Sequence, residues 1–145
     1  MRVELTIPGV AKAQPRQRHR HITTRDGRSF NQNYTPAKAP VNDFKATIRL
    51  AFAETYDGPP SEKPVILQII AILPRPKGMI WKSKPMPRVP HIVKPDTENI
   101  TKAVKDALTK LAYRDDSQVY YEIVQKFIAS GDEQPHTRIV ISDKP

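Results

Sequence analysis

Nine residues from Val65 to Leu73 (Val-Ile-Leu-Gln-Ile-Ile-Ala-Ile-Leu) form a nearly unbroken apolar run, and this run limits the possible folds more than any other segment. It is half of the ~18 residues that a membrane-spanning helix needs. A run of this length and character reads as a strand buried on both faces and central in its sheet. The remaining chain must then supply neighbouring strands and covering helices.

The flanking patterns supply both. Arg2 to Ile7 alternates Val3, Leu5 and Ile7 with polar neighbours, a short strand ended by Pro8-Gly9. Asn42 or Asp43 is placed to cap a helix running to about Thr55, with Phe44, Ile48, Ala51, Phe52 and Thr55 on one face and Asp57-Gly58-Pro59-Pro60 as its stop. A second helix fits Thr97 to Leu111, where Ile100, Ala103, Val104, Ala107, Leu108 and Leu111 make an apolar stripe. Asp96 occupies its N-cap position and Glu98 its first turn, and both positions favour negative charge. Gln118 to Ile128 reads as a strand with Val119, Tyr121 and Ile123 on one face. After a turn at Gly131-Asp132, Thr137 to Ser142 reads as a last strand, pairing with it as a hairpin. The order β-α-β-α-β-β predicts one α/β (α+β) domain over residues 1–145, a sandwich with a mixed sheet and two main helices.

Two segments lack hydrophobic periodicity. Residues 12–35 are rich in Arg, His, Gln and Asn and suit a loop or a loose hairpin turning at Asp26-Gly27. Residues 74–95 form a Pro-rich basic loop carrying Arg75, Lys77, Lys82, Lys84, Arg88, His91, Lys94 and Trp81. It is long for a compact domain, which marks it as functional or mobile.

Lys and Arg total 24 against 15 Asp and Glu, a net charge of +9 that favours a polyanionic partner such as nucleic acid. There are no cysteines, so disulfides and thiolate zinc sites are excluded. Without an apolar run of spanning length or a signal-peptide core, the expectation is a cytoplasmic protein with no membrane partner.

Against this basic background, residues 94–119 concentrate acids: Lys94-Pro95-Asp96-Thr97-Glu98-Asn99 with Lys102, then Asp106-Ala107-Leu108, then Asp115-Asp116-Ser117-Gln118-Val119. Gathered carboxylates repel, and a hard divalent cation removes that cost. Such a site in a basic protein points to a nuclease. Spacing alone also allows a simpler account, with Asp96 as a cap, Glu98–Lys102 as a surface i,i+4 pair, Asp115-Asp116 as a solvated turn, and Asp106 paired with Lys102 or Lys110 outside any site.

These residues closely resemble the signature of RusA-type Holliday junction resolvases. The family's pattern is Asp-x-Asp-Asn, a lysine four beyond the second acid, Asp-Ala-Leu, and a later Asp-Asp-x-Gln-Val. Weaker likeness extends to Ile7-Pro8-Gly9 and Pro15-Arg16-Gln17-Arg18. The resemblance implies a Mg²⁺-dependent (Mn²⁺ also suits) homodimeric endonuclease that cuts branched DNA, four-way junctions, by paired symmetric nicks. It assigns Asp96, Glu98 and one of Asp115 or Asp116 to the metal, with Asp116 the closer match, and Lys102 as the catalytic lysine. Arg16, Arg18, Lys94 and Lys105 are the expected DNA contacts. One departure stands out: the second acid is Glu98 where the family has Asp, so activity is expected to persist with an altered Mg²⁺/Mn²⁺ preference. The alternatives are another structure-selective nuclease, a catalytically weakened or inactive phage-derived junction-binding protein, and a basic RNA-binding module.

Overall fold

The computed structural model describes residues 1–15, 18–34, 36 and 39–145. In chain order the elements are β1 (Arg2–Pro8), β2 (Arg18–Thr23), β3 (Ser29–Tyr34), α1 (Pro40–Thr55), β4 (Val65–Leu73), β5 (Val89–Pro90), α2 (Thr97–Leu108), β6 (Val119–Ile128) and β7 (His136–Ser142). The expected α/β order is present, extended by the β2–β3 hairpin and the two-residue β5 inside the Pro-rich loop.

Strands β1-β7-β4-β6-β5 form one mixed sheet, in which β4 pairs parallel to β6 and antiparallel to β7. The predicted β6–β7 hairpin is therefore replaced: β7 lies between β1 and β4. Burial explains the choice. Ile139, Val140 and Ile141 are all buried, so β7 has apolar side chains on both faces and needs an interior place. Tyr120, Tyr121 and Glu122 are exposed at the start of β6, where no strand pairs on its outer side; β5 reaches only Phe127 and Ile128.

Strand β4 is central as expected, but only one of its faces is closed by helices. Val65, Leu67, Ile69 and Ala71 join Val3, Leu5, Ile7, Ile139 and Ile141 against Phe44, Ile48, Phe52, Ile100, Val104 and Leu108. On the opposite face Gln68 is exposed, Ile66 and Ile70 are half-buried and Ile72 is buried. A register shift at the start of the β4–β6 pair puts Val119 opposite Val65 and Tyr121 opposite Ile66. Val119 therefore packs on the helix side while Tyr121 and Ile123 face away, which divides the face predicted from alternation; one extra residue inverts every side chain beyond it.

Helix α1 starts with Pro40 in its first turn and Ala39 as N-cap, with no side-chain cap bond, so neither Asn42 nor Asp43 caps it. Proline's missing N–H is one of the donors a helix start leaves unbonded, and Asp43 still favours the positive end of the helix. Helix α2 ends at Leu108 rather than Leu111. Thr109 is extended and Lys110 takes a left-handed φ of 69°, letting the chain turn so that Ala112 and Tyr113 enter the core.

Candidate active site

A cleft of about 920 Å³ opens along α2 from Thr97 to Thr109, bordered by Lys45 of α1 and by Asp116, Glu122 and Val124 at and before the start of β6. Four carboxylates line it, Glu98, Asp106, Asp116 and Glu122, with three lysines, Lys45, Lys102 and Lys105. The α2 contributions follow from helical spacing: 98, 101, 102, 105, 106 and 109 form the polar stripe opposite the buried one.

Three of the four acids are each paired with a lysine. Glu98 meets Lys102 at 3.1 Å, Glu122 meets Lys105 at 3.3 Å, and Asp106 meets Lys45 at 2.5 Å. Asp116 makes no ion pair among the described residues. The Lys45 side chain is only 8% exposed, so its charge depends on Asp106 for compensation. Lys105 is three-quarters covered and lies 3.3 Å from the Glu122 carboxylate on the cleft wall.

The adjacent aspartates differ. The Asp115 carboxylate accepts the Ser117 amide at 2.9 Å, while Gln118 Oε1 accepts the Asp115 amide at 2.9 Å, a reciprocal capping box. Ser117's hydrogen bonds to this carboxylate hold Asp115 below the usual carboxylate range. Gln118 Nε2 also donates to the carbonyls of Ser61 and Lys63, at 2.9 and 3.0 Å, fastening the turn to the chain entering β4. Asp115 thus serves the turn, and Asp116 beside it lines the cleft. Burial of Tyr113, then the nearby Asp116 charge, pushes the Tyr113 phenol up; its hydroxyl donates to the Lys105 carbonyl at 2.9 Å.

Asp96 occupies the N-cap position of α2 but makes no capping hydrogen bond, so its exposed carboxylate is not spent on the helix. It does not line the cleft; nor does Asp115. Lys94 is exposed two residues earlier. The segment before Asp96 is fixed by Lys126, whose ammonium donates to the carbonyls of Val93 at 2.6 Å and Pro95 at 2.7 Å. Arg16 lies outside the described residues, as does the side chain of Arg18.

The Pro-rich loop is anchored by contacts that composition did not reveal. Arg75 donates to the carbonyls of Met79, Pro87 and Ala129, so it is structural and not open to phosphate. Trp81 lies between Arg75 and Lys84, whose cationic groups are 4.8 and 4.0 Å from its ring centroid. Arg88 grips Glu133 beyond β6, and with the Ser130 amide it lowers the Glu133 carboxyl to about 2.

The donor chemistry suits a hard cation, since oxygen ligands dominate the cleft and no thiolate exists in the chain. Among the described residues, no three acids or histidines converge closely enough to make a ready cage. Lysine ammoniums stand between the carboxylates instead, each offsetting one charge.

Lys45, Asp106, Glu122, Gln118 and Lys126 were missed as site or support residues. Signals existed for several. Lys45 sits within the apolar stripe of α1, Glu122 and Lys126 alternate with Val124 on the helix-facing side of β6, and Asp115-x-x-Gln118 has capping-box spacing.

Comparison with known proteins adds two findings. An uncharacterized protein, YqaN of Bacillus subtilis (strain 168), is 30% identical over 146 residues, covering 97% of this chain and 96% of that protein. The family described as Endodeoxyribonuclease RusA matches residues 8–142, nearly the whole chain and the entire acidic cleft. The chain belongs to the RusA endodeoxyribonuclease family.

Proposed function

We propose that this chain is a divalent-metal-dependent endonuclease that resolves four-way DNA junctions by paired, symmetric nicks, acting as a homodimer. The observation that supports the reading best is one cleft lined by Glu98, Asp106, Asp116 and Glu122 with Lys102 and Lys105, in a protein of net charge +9. Asp96, Glu98 and Asp116 are the proposed metal-holding acids, with Asp115 committed to its turn. Bound Mg²⁺ or Mn²⁺ would supply Lewis acidity and a more acidic water. Lys102 stabilises charge developing on the phosphate or leaving oxygen and stands 3.1 Å from the Glu98 carboxylate. Asp106 compensates Lys45 and shapes the wall. Lys94, Lys105, Arg16 and Arg18 are the proposed phosphate contacts, so affinity should fall with salt by about 0.9 log units per log unit for each contact.

Purified protein is incubated with a mobile four-way junction and with matched linear duplex, with Mg²⁺, Mn²⁺ or EDTA. Paired nicks at symmetric positions in the junction alone, abolished by EDTA, are expected. Junction binding with no cutting in either metal would favour a binding protein weakened at Glu98, and recovery of cutting by Glu98→Asp would identify that side chain as the cause. Equal cutting of duplex would make it a nuclease of broader choice.

A further inference from the structure

The β2–β3 hairpin forms its own two-stranded sheet. Its register pairs His19 with Asn33, His21 with Asn31 and Thr23 with Ser29 on one face, and Arg20 with Gln32 and Ile22 with Phe30 on the other. The second face is partly covered, since Ile22, Gln32 and Tyr34 are half-buried, and Arg20 lies 5.0 Å from the Tyr34 ring centroid. The first face is different. All six of its side chains are exposed, all can form hydrogen bonds, and none is apolar or acidic. A protein that only needed solubility there would be expected to mix in carboxylates. Over residues 18–34 there are four arginines against one acid, Asp26, and that acid is bridged by Arg28 at 3.2 Å.

Position adds a second observation. Gln14 lines the acidic cleft, and its backbone N–H donates to the backbone carbonyl of Asn99 in the first turn of α2 at 2.9 Å. Strand β2 begins four residues later, so its root lies within about 14 Å of that anchor. Strands of six residues at about 3.4 Å each give an arm of roughly 20 Å.

A two-stranded ribbon fits the major groove, about 12 Å wide, and amide side chains there read base edges. We infer that β2–β3 is a groove-reading arm: the His19, His21, Asn31 and Asn33 face enters the major groove of a duplex arm beside the cleft, while Arg25 at the tip holds a backbone phosphate. The inference rests on the nuclease reading and adds to it the element of this chain that contacts the duplex arm beside the cleft. The histidine–asparagine bonds on this face (His21 Nδ1 to Asn31 Oδ1 is 3.1 Å) hold the reading groups in position before DNA arrives.

The test uses the full chain, a four-way junction of defined sequence and EDTA to prevent cutting. Guanine N7 protection from dimethyl sulfate reports on the major groove. Wild type should protect N7 positions in one arm. The Asn31→Ala/Asn33→Ala variant should lose that protection and bind about tenfold more weakly, as expected where bidentate base contacts are removed. Arg25→Ala should keep the protection and reduce the slope of log K against log salt by about 0.9. Unchanged protection and affinity in the double variant, or wild-type protection confined to the minor groove, would overturn the arm. If wild type still cuts the junction in Mg²⁺, the nuclease reading survives that loss; if it neither binds nor cuts DNA, both readings fall together.

Discussion

Asp115 and Asp116 are chain neighbours with opposite commitments. Asp115 accepts the Ser117 amide and completes a capping box with Gln118, while Asp116 faces the cleft shared with Glu98 and Lys102. Neutralising each separately should therefore do different things. Asp116→Asn should reduce junction cutting by about 100-fold or more, the scale of removing one electrostatic group from a reacting site, with the melting temperature nearly unchanged. Asp115→Ala should keep cutting within a few-fold of wild type and lower the melting temperature by a few degrees, because the turn loses the acceptor of the Ser117 amide. Single-turnover cleavage and thermal melts of both variants check this, and equal losses of cleavage would contradict the division. The two roles were only partly legible beforehand. The resemblance carried Asp96, Glu98, Lys102 and the aspartate pair, because these types recur at fixed spacing. The resemblance already favoured Asp116 within the pair; the capping box that engages Asp115 is visible as Asp-x-x-Gln but gains meaning only when Gln118 is seen bonded to Ser61 and Lys63, more than fifty residues earlier. Asp106 was assigned to lysines on its own helix; its partner is Lys45 on the other one, a long-range pair that helical spacing does not encode.

The segment ahead of α2 shows how elements support the site. Lys126 of β6 donates to the Val93 and Pro95 carbonyls and so fixes the approach to Asp96. Lys126→Met keeps the stem and removes both charged hydrogen bonds. It should cost roughly 2 kcal/mol in urea unfolding and reduce kcat more than it raises KM, since the acid's position changes more than the DNA surface does. A purely higher KM would assign Lys126 to DNA binding instead. The far end of the Pro-rich loop is held by Arg88 on Glu133, whose carboxyl lies at about 2, below its ordinary 4.5. A depressed carboxyl contributes stability above the unfolded value and loses it as pH falls through the folded one. Glu133→Gln should thus be less stable than wild type at pH 6, with the gap narrowing between about pH 4.5 and 2. Urea midpoints at a series of pH values measure it, and a gap that widened on acidification would deny the clamp. Periodicity revealed β1, β4, both helices and the last two strands because each has an apolar face. It could not say that β7 would insert between β1 and β4, since strand order depends on which strands have two apolar faces to bury. The β2–β3 hairpin was suggested only by Asp26-Gly27, because its alternation is between polar residues.

Two nicks placed symmetrically across a junction require two clefts related by a two-fold axis, which a pair of identical chains supplies. Copies with a net charge of +9 repel one another, so association needs apolar surface to overcome that repulsion. Both helices lie on one side of the sheet, and among the described residues part of the other side is open: Tyr120, Tyr121 and Ile123 are 64%, 48% and 39% exposed, beside the half-buried Ile66 and Ile70. A self-complementary contact through this face would bury the aromatic pair and leave the two acidic clefts, on the helix sides, facing away from each other toward separate strands. Ile123→Glu puts a carboxylate into the middle of that contact without touching the core, because Ile123 points away from the helices. Sedimentation equilibrium should give wild type at twice the 16.5 kDa chain mass and the variant at the chain mass, with circular dichroism unchanged. The variant's products on a junction should shift from paired to single nicks. A wild type that sediments as a monomer would remove the dimer from the mechanism. A variant that stays dimeric would move the contact to another surface while leaving the two-fold requirement in place.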